Sequence, residues 1–420
     1  MTKFILTILI MLGIGSATIA QDMQPPKRIG IIGTTTSHVP AFANQINDPN
    51  GNELMQRYEV TAAYAGGMPD NPSSWGRVSE YTKALVDKGV TMYPTIEEML
   101  EHVDFVMLES VDGRPHLEQA RPVIAAGKPM YIDKPMAGSL ADVLEIFRLA
   151  EENNVPIFTA SSLRYGKDVQ DIRNNKPHGK VIGCDAFSPC SLNDKHPDLY
   201  WYGVHGVETL FSFMGPGCVS VTRMHSEGSD VVVGLWNDGR IGTFRGIRQG
   251  KTDYGARVVM EKAIVNTGQY DGYGPLGVEI CKFFDTLQPP VDPQETIEMF
   301  AFMSAADVSW YEARRISDGV RPLTSGSLVT LQGVIDRAKN EKAVYKNIVI
   351  PADYGKNAKT FVLVDGKEVP TSILKDAMIW PRNNSVVKVI LRSEKGVDFK
   401  FVQEVLEQLD EVYLANYLYE

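Results

Sequence analysis

Cysteine is scarce in this chain: Cys184, Cys190, Cys218 and Cys281 are the four among 420 residues. No pair is spaced C-x-x-C, which leaves a structural zinc site without its usual ligand spacing. A Cys184–Cys190 bridge and four buried thiols both stay open. Cationic runs are missing too. Lys and Arg total 42 against 52 Asp and Glu, a formal charge of −10. No basic cluster stands ready to neutralise phosphates, which excludes a nucleic-acid partner. The surplus acid reads as solubility. The apolar run FILTILIMLGIG near the N-terminus is short for a bilayer span. What is present is ordinary globular material, 44% hydrophobic and 22% charged, enough to build a sizeable core.

The first residues follow a processing pattern rather than a folding one. MTK supplies a positive start, the apolar run follows, and SATIAQ places Thr18 and Ala20 at the −3 and −1 positions of a cut. No Cys follows the run and no Arg-Arg pair precedes it, so neither a lipid anchor nor a twin-arginine route is signalled. Residues 1–20 are expected to be a general secretory signal peptide, and the protein periplasmic or secreted, with no membrane contact beyond that segment. QDMQPPK (21–27) is a polar linker.

After the linker, strands and helices alternate. RIGIIG, YEVTAAYA, DFVMLES, PMYID and VPIFTAS read as strands; PHLEQARPVIAAG and SLADVLEIFRLAEENN read as helices between them. Such alternation implies right-handed crossovers and a parallel sheet over 27–163. From about residue 164 to 323 the character changes. DVVVGLWND and GRIGTFRGIRQ flank the turn Asn237-Asp238-Gly239, and ARVVMEKAIVNTG is strand-like, which predicts an open, mainly antiparallel sheet with helices. Residues 345–420 read as a third, small α/β unit. The expected fold class is α/β: a Rossmann-type parallel-sheet domain, an α+β domain, and a C-terminal α/β appendage.

The turn RIGIIGTTTSH raises the main question. A strand-to-helix turn that cradles a dinucleotide uses three glycines, for the bend, for the approach of the pyrophosphate and for helix packing. Gly33 holds the first place, but Thr35 and His38 hold the second and third. A helix N-terminus still offers N–H groups to an anion, with Thr34, Thr35 and Ser37 adding hydroxyls. No acid stands at the tip of the second strand, where Gly66 and Gly67 lie. Arg77 further on could meet a 2′-phosphate. NAD, NADP and no dinucleotide at all stay open on these residues.

The stretch from DFVMLESVDGRPHLEQA through AAGKPMYIDKPMAG to PIFTASSLRY resembles the glucose–fructose oxidoreductase / inositol dehydrogenase family (Gfo/Idh/MocA), and the resemblance extends over about residues 27–323. The family's Glu-Lys-Pro triplet is Asp133-Lys134-Pro135 here. The resemblance implies that Lys134 lies by the nicotinamide and the reacting hydroxyl, that Pro135 shapes the turn with a cis bond, and that His116 sits near the cofactor. A second family pattern is met by WYGVHGVE. It implies His205 as general base and Glu208 as its orienting acid, while Trp201 replaces the family's Asp and Asp198 is a nearby substitute. Arg164, Tyr165 and Tyr202 are expected at the substrate. His38, His116 and His205 are far apart in sequence, and no metal site is expected. The activity implied is NAD- or NADP-dependent oxidation of a sugar or polyol by a homo-oligomer. The alternatives are a sugar lyase or glycosidase, cofactor-free or with a captive NAD, and a non-catalytic carbohydrate-binding protein. The C-terminal unit is similar to the periplasmic domain of ExbD/TolR-type proteins, which implies a protein partner.

Overall fold

The computed structural model describes residues 25–316 and 327–341, with the backbone of four short strands beyond; side chains are described as far as residue 310 and over 327–339. The segment expected to be a signal peptide lies outside the described residues.

Six parallel strands form the first sheet: β1 (Lys27–Ile32), β2 (Tyr58–Tyr64), β3 (Thr91–Met92), β4 (Phe105–Leu108), β5 (Met130–Ile132) and β6 (Ile157–Thr159). Their order is β3-β2-β1-β4-β5-β6, the doubly wound arrangement whose order reverses between β1 and β4. The helices are α1 (His38–Ile46), α2 (Pro72–Trp75), α3 (Val78–Val86), α4 (Ile96–Leu100), α5 (His116–Ala125) and α6 (Leu140–Glu152). β4 and β5 are buried throughout, as strands covered on both faces must be. Caps set the helix starts: Ser139 accepts the Asp142 N–H ahead of α6, and Thr95 accepts the Glu98 N–H ahead of α4, each satisfying one orphan donor.

After α7 (Lys167–Asn175) come β7 (Val181–Pro189), α8 (Val204–Met214), β8 (Cys218–Ser226), β9 (Ser229–Trp236), β10 (Ile241–Ile247), β11 (Gly255–Met260) and β12 (Ile264–Thr267). Then follow α9 (Gly274–Thr286), α10 (Pro293–Ile316), β13 (Val329–Thr330) and α11 (Leu331–Glu341). The second sheet runs β12-β11-β7-β10-β9-β8-β13, antiparallel except between β7 and β10. The expected turn at Asn237–Gly239 joins β9 to β10, with Gly239 at φ +84°. One face of this sheet packs on α8 and α10. The other exposes Ile182, Val233, Leu235 and Ile241. α9 returns to the first sheet: Leu276, Ile280, Phe283 and Phe284 share a core with Ile29, Ile31, Tyr58 and Phe105, and Tyr58 donates to Asp285 at 2.6 Å. All four cysteines are buried free thiols, so the Cys184–Cys190 bridge does not form.

Strands β14 (Ile348–Ile350), β15 (Phe361–Val364), β16 (Lys367–Pro370) and β17 (Val389–Leu391) form a separate sheet in the order β16-β15-β14-β17. The helices expected in this unit lie outside the described residues.

Candidate functional site

The carboxyl ends of β1, β4, β5 and β6 meet at one crevice, where an open α/β sheet places its ligands. β5 delivers Asp133 and Lys134 into it, and the Lys134–Pro135 peptide is cis. Asp133 is fully buried. Its Oδ1 accepts from the Tyr131 hydroxyl at 3.1 Å. Its Oδ2 lies 2.8 Å from His38 Nδ1 and 3.9 Å from Lys134 Nζ. Burial opposes ionisation of Asp133, but His38 and Lys134 hold its carboxyl well below the usual range. Burial pushes His38 down, against the pull of Asp133.

Beside them, at the end of β4, stands Glu109. It is 0% exposed, and neither carboxylate oxygen has a hydrogen-bond partner. Burial and then the Asp133 charge push its pKa well up.

His205, in the first turn of α8, faces the same cluster. Its Nδ1 is 2.7 Å from Ser161 Oγ, just past β6. Burial, then the charges of Lys134 and His38, lower its pKa well below that of a free imidazole, so the ring is neutral at pH 7. In the tautomer that donates Nδ1–H to Ser161, Nε2 carries the lone pair of a base. A tyrosine arc joins the two histidines. Tyr273 packs tilted against His38 at 4.5 Å, Tyr270 and Tyr254 follow at 5.6 and 6.4 Å, and Tyr254 and Tyr202 both edge His205.

Several expectations need correction here. Glu208 does not orient His205: it accepts from Ser161 N–H and from Arg164 Nε, both at 2.7 Å. Ser161 holds the imidazole instead. Arg164 is no free substrate ligand, because its guanidinium is buried between Glu208 and Glu295, at 2.7 and 2.6 Å. Tyr165 is buried with its hydroxyl unpaired. Asp198 pairs with Arg223 at 2.8 Å and cannot stand in for the Asp replaced by Trp201. Trp201 itself packs on His196. His116 has a carbonyl at each ring nitrogen, Ser110 O at 2.8 Å and Met136 O at 3.1 Å. It clamps two loops and keeps no atom for a ligand.

At the other end of the crevice, where a pyrophosphate would cross, larger side chains replace two of the three glycines. Gly33, at φ +92°, is needed for packing: a Cβ there would stand 2.3 Å from Ser110 Oγ and 2.6 Å from Ser110 N. The N–H groups of Gly33 and Thr34 are taken by Tyr64 O and Ala65 O. Thr34 and Thr35 are 0% exposed. Thr35, in the second glycine's place, accepts the Val111 N–H at 2.8 Å, and a Cβ on Gly67 would come within 3.6 Å of its methyl. The loop after β2 is clasped across the crevice mouth. Asn71 donates to Asp112 at 2.8 Å, and Arg114 joins Asp70 (2.8 and 2.9 Å) to Asp112. His196, from the second unit, adds a 3.0 Å contact to Asp112. Arg77 is exposed. Ser37 is exposed at the start of α1, where no side chain caps the helix. Buried Thr35 and His38 thus fill two of the three glycine places, whereas the start of α1, beside exposed Ser37, has no side-chain cap and still offers N–H groups to an anion.

Glu109, Ser161 and Tyr254, Tyr270 and Tyr273 were not anticipated from the sequence. An acid closing the apolar run FVML, and two tyrosines in the glycine-rich QYDGYGP, were the available signals.

Residues 27–161 match the family GFO_IDH_MocA, described as an oxidoreductase family with an NAD-binding Rossmann fold. The uncharacterized protein YMR315W of Saccharomyces cerevisiae is 24% identical over 247 residues, covering 52% of this chain and 66% of that protein. Among solved structures, a probable dehydrogenase from Thermotoga maritima superposes with a TM-score of 0.58 at 18% identity, over 73% of this chain and 99% of its own. The scyllo-inositol dehydrogenase of Lactobacillus casei, solved with NAD(H) and scyllo-inositol, gives 0.56 at 12% identity, over 73% and 99%. At such identities the structures establish the fold, a Rossmann domain followed by a mainly antiparallel sheet domain. Residues 27–161 are thus similar to the NAD-binding Rossmann domain of that oxidoreductase family.

Proposed function

We propose that the whole chain is a Gfo/Idh/MocA-type enzyme acting on the CH–OH or keto group of a sugar- or polyol-like small molecule. The observation that carries this reading is the joint placement of Lys134 and neutral, Ser161-held His205 at the crevice beneath a tyrosine arc. His205 Nε2 takes the proton of a substrate hydroxyl, and Ser161 fixes the ring. Lys134 holds the substrate oxygen and stabilises its developing negative charge. Tyr202 and Tyr254 offer ring faces and hydroxyls, 3.3 Å apart, to a polyhydroxylated ring. The oxidoreductase class comes from the family match, and NAD or NADP is the hydride acceptor that class would use.

A second reading follows from the filled turn and the clasp. The same proton transfer, next to a carbonyl and without a hydride acceptor, is a lyase step, and it needs only the residues in place. Export through residues 1–20 favours that reading, because free nicotinamide cofactor is scarce outside the cytoplasm. The apolar residues on the open face of the second sheet support a homo-oligomer, and residues 345–420 are assigned to a protein partner.

The test is turnover of sugars, polyols and their keto forms, with and without NAD or NADP, followed by mass spectrometry. Lys134→Ala and His205→Ala should each lower turnover by about 10²–10⁴-fold with the fold intact. Unchanged turnover in either variant would overturn the assignment.

A further inference from the structure

We propose that His38, Glu109 and Asp133 form a binding site for a divalent transition-metal ion at the carboxyl edge of the first sheet. One donor atom from each lies within 4.8 Å of the others, and all three residues are buried. The His38 Nδ1 to Asp133 Oδ2 separation of 2.8 Å is close to the edge of a coordination polyhedron built on bonds of about 2.1 Å. The independent observation is Glu109. A fully buried carboxylate with both oxygens unpartnered is a group the chain has desolvated without compensation, and buried charges are ordinarily paired or bound to metal. His38 Nδ1 and Asp133 Oδ2 meet each other at 2.8 Å and make no other hydrogen bond, so an ion between them and Glu109 would displace no further partner.

The charge count agrees. With Glu109 ionised by the bound ion, two carboxylates against the Lys134 ammonium, 3.9 Å from Asp133, leave the ligands one negative charge over. A divalent ion turns that into one positive charge, which an alkoxide or enediolate oxygen would neutralise. One imidazole nitrogen and two carboxylate oxygens form a mixed set that suits Mn²⁺ or Zn²⁺, and three protein ligands leave positions open for water or for adjacent oxygens of a hydroxy-keto compound. That last role rests on the proposed function. The site itself does not, and the experiment reads binding alone.

The full chain is treated with chelator, dialysed, and titrated with Mn²⁺ and with Zn²⁺ by calorimetry, with elemental analysis of the product. One equivalent is expected. Glu109→Gln should weaken binding by about 100-fold or more, since even outer-shell partners cost 10–100-fold. Lys134→Gln should tighten it several-fold, because it removes a positive charge beside Asp133, a change of sign that a merely structural role would not give. Circular dichroism without metal checks that the variants fold. Should Glu109→Gln not fold, His38→Gln and Lys134→Gln carry the same test in opposite directions. No saturable uptake by the wild type, or wild-type affinity in the ligand variant, would overturn the proposal and leave Glu109 as an un-ionised acid.

Discussion

At the β1–α1 end of the crevice, the exchange of the second glycine for Thr35 has been absorbed. Thr35 spends its hydroxyl on Val111, and Asp70 and Asn71 are tied to Arg114 and Asp112. At the β5–α8 end the same chain leaves Glu109 unpartnered, pairs His38 with Asp133 alone, and sets neutral His205 near the Lys134 charge. Buried polar atoms that pair only with their own chain stabilise a fold; buried polar atoms left over are held for something else. The comparison teaches that one fold can rebuild its phosphate turn with larger side chains and keep its reaction end polar.

The contrast breaks most visibly at the clasp. Asp112 is buried, yet His196 and Arg114 outweigh burial and hold its carboxyl well below the usual range. Asp112→Ala leaves Arg114 half-paired and should cost about 3–5 kcal/mol, read by urea unfolding. The sign with pH follows. The folded pKa lies below the unfolded value of about 3.9, so the stabilisation is complete above that value and drains away as the pH falls through it. The variant should therefore lose less stability on acidification than the wild type. A smaller effect is expected from Thr35→Gly, about 1 kcal/mol for the lost hydrogen bond, together with a larger thermal shift with NAD than the wild type gives. A thermal shift with NAD as large in the wild type as in this variant would show that Thr35 does not narrow the turn. Smallest is Arg77→Ala. Arg77 is exposed, and the change should stay within about 0.5 kcal/mol with no effect on NADP response. A lost NADP response there would restore a dinucleotide role to this end.

The parallel sheet was legible because buried strands such as FVML and PMYI alternate with amphipathic helices. The switch of character near residue 164 was legible from the Asn-Asp-Gly turn. The acid-Lys-Pro triplet and His205 were found because each sits in a local pattern. Their true partners were not. Ser161 reaches His205 across 44 residues of sequence, and Arg164 closes on Glu295 across 131, so neither pairing leaves a local trace. Glu208, one turn from His205, looked like its orienting acid by helical spacing, yet Arg164 captured it. The glycine losses at Thr35 and His38 were visible, but the ties of Asp70 and Asn71 were not, because Asp112 and Arg114 come from a different connection.

The most direct measurement is the nucleotide content of the native protein, purified without added cofactor, denatured, and analysed by mass spectrometry for NAD(H) and NADP(H). The oxidoreductase reading predicts about one equivalent of NAD(H) or NADP(H) per chain, or saturable binding when either is then titrated into the native chain. Neither released nucleotide nor saturable binding would contradict that reading and leave the cofactor-free lyase step.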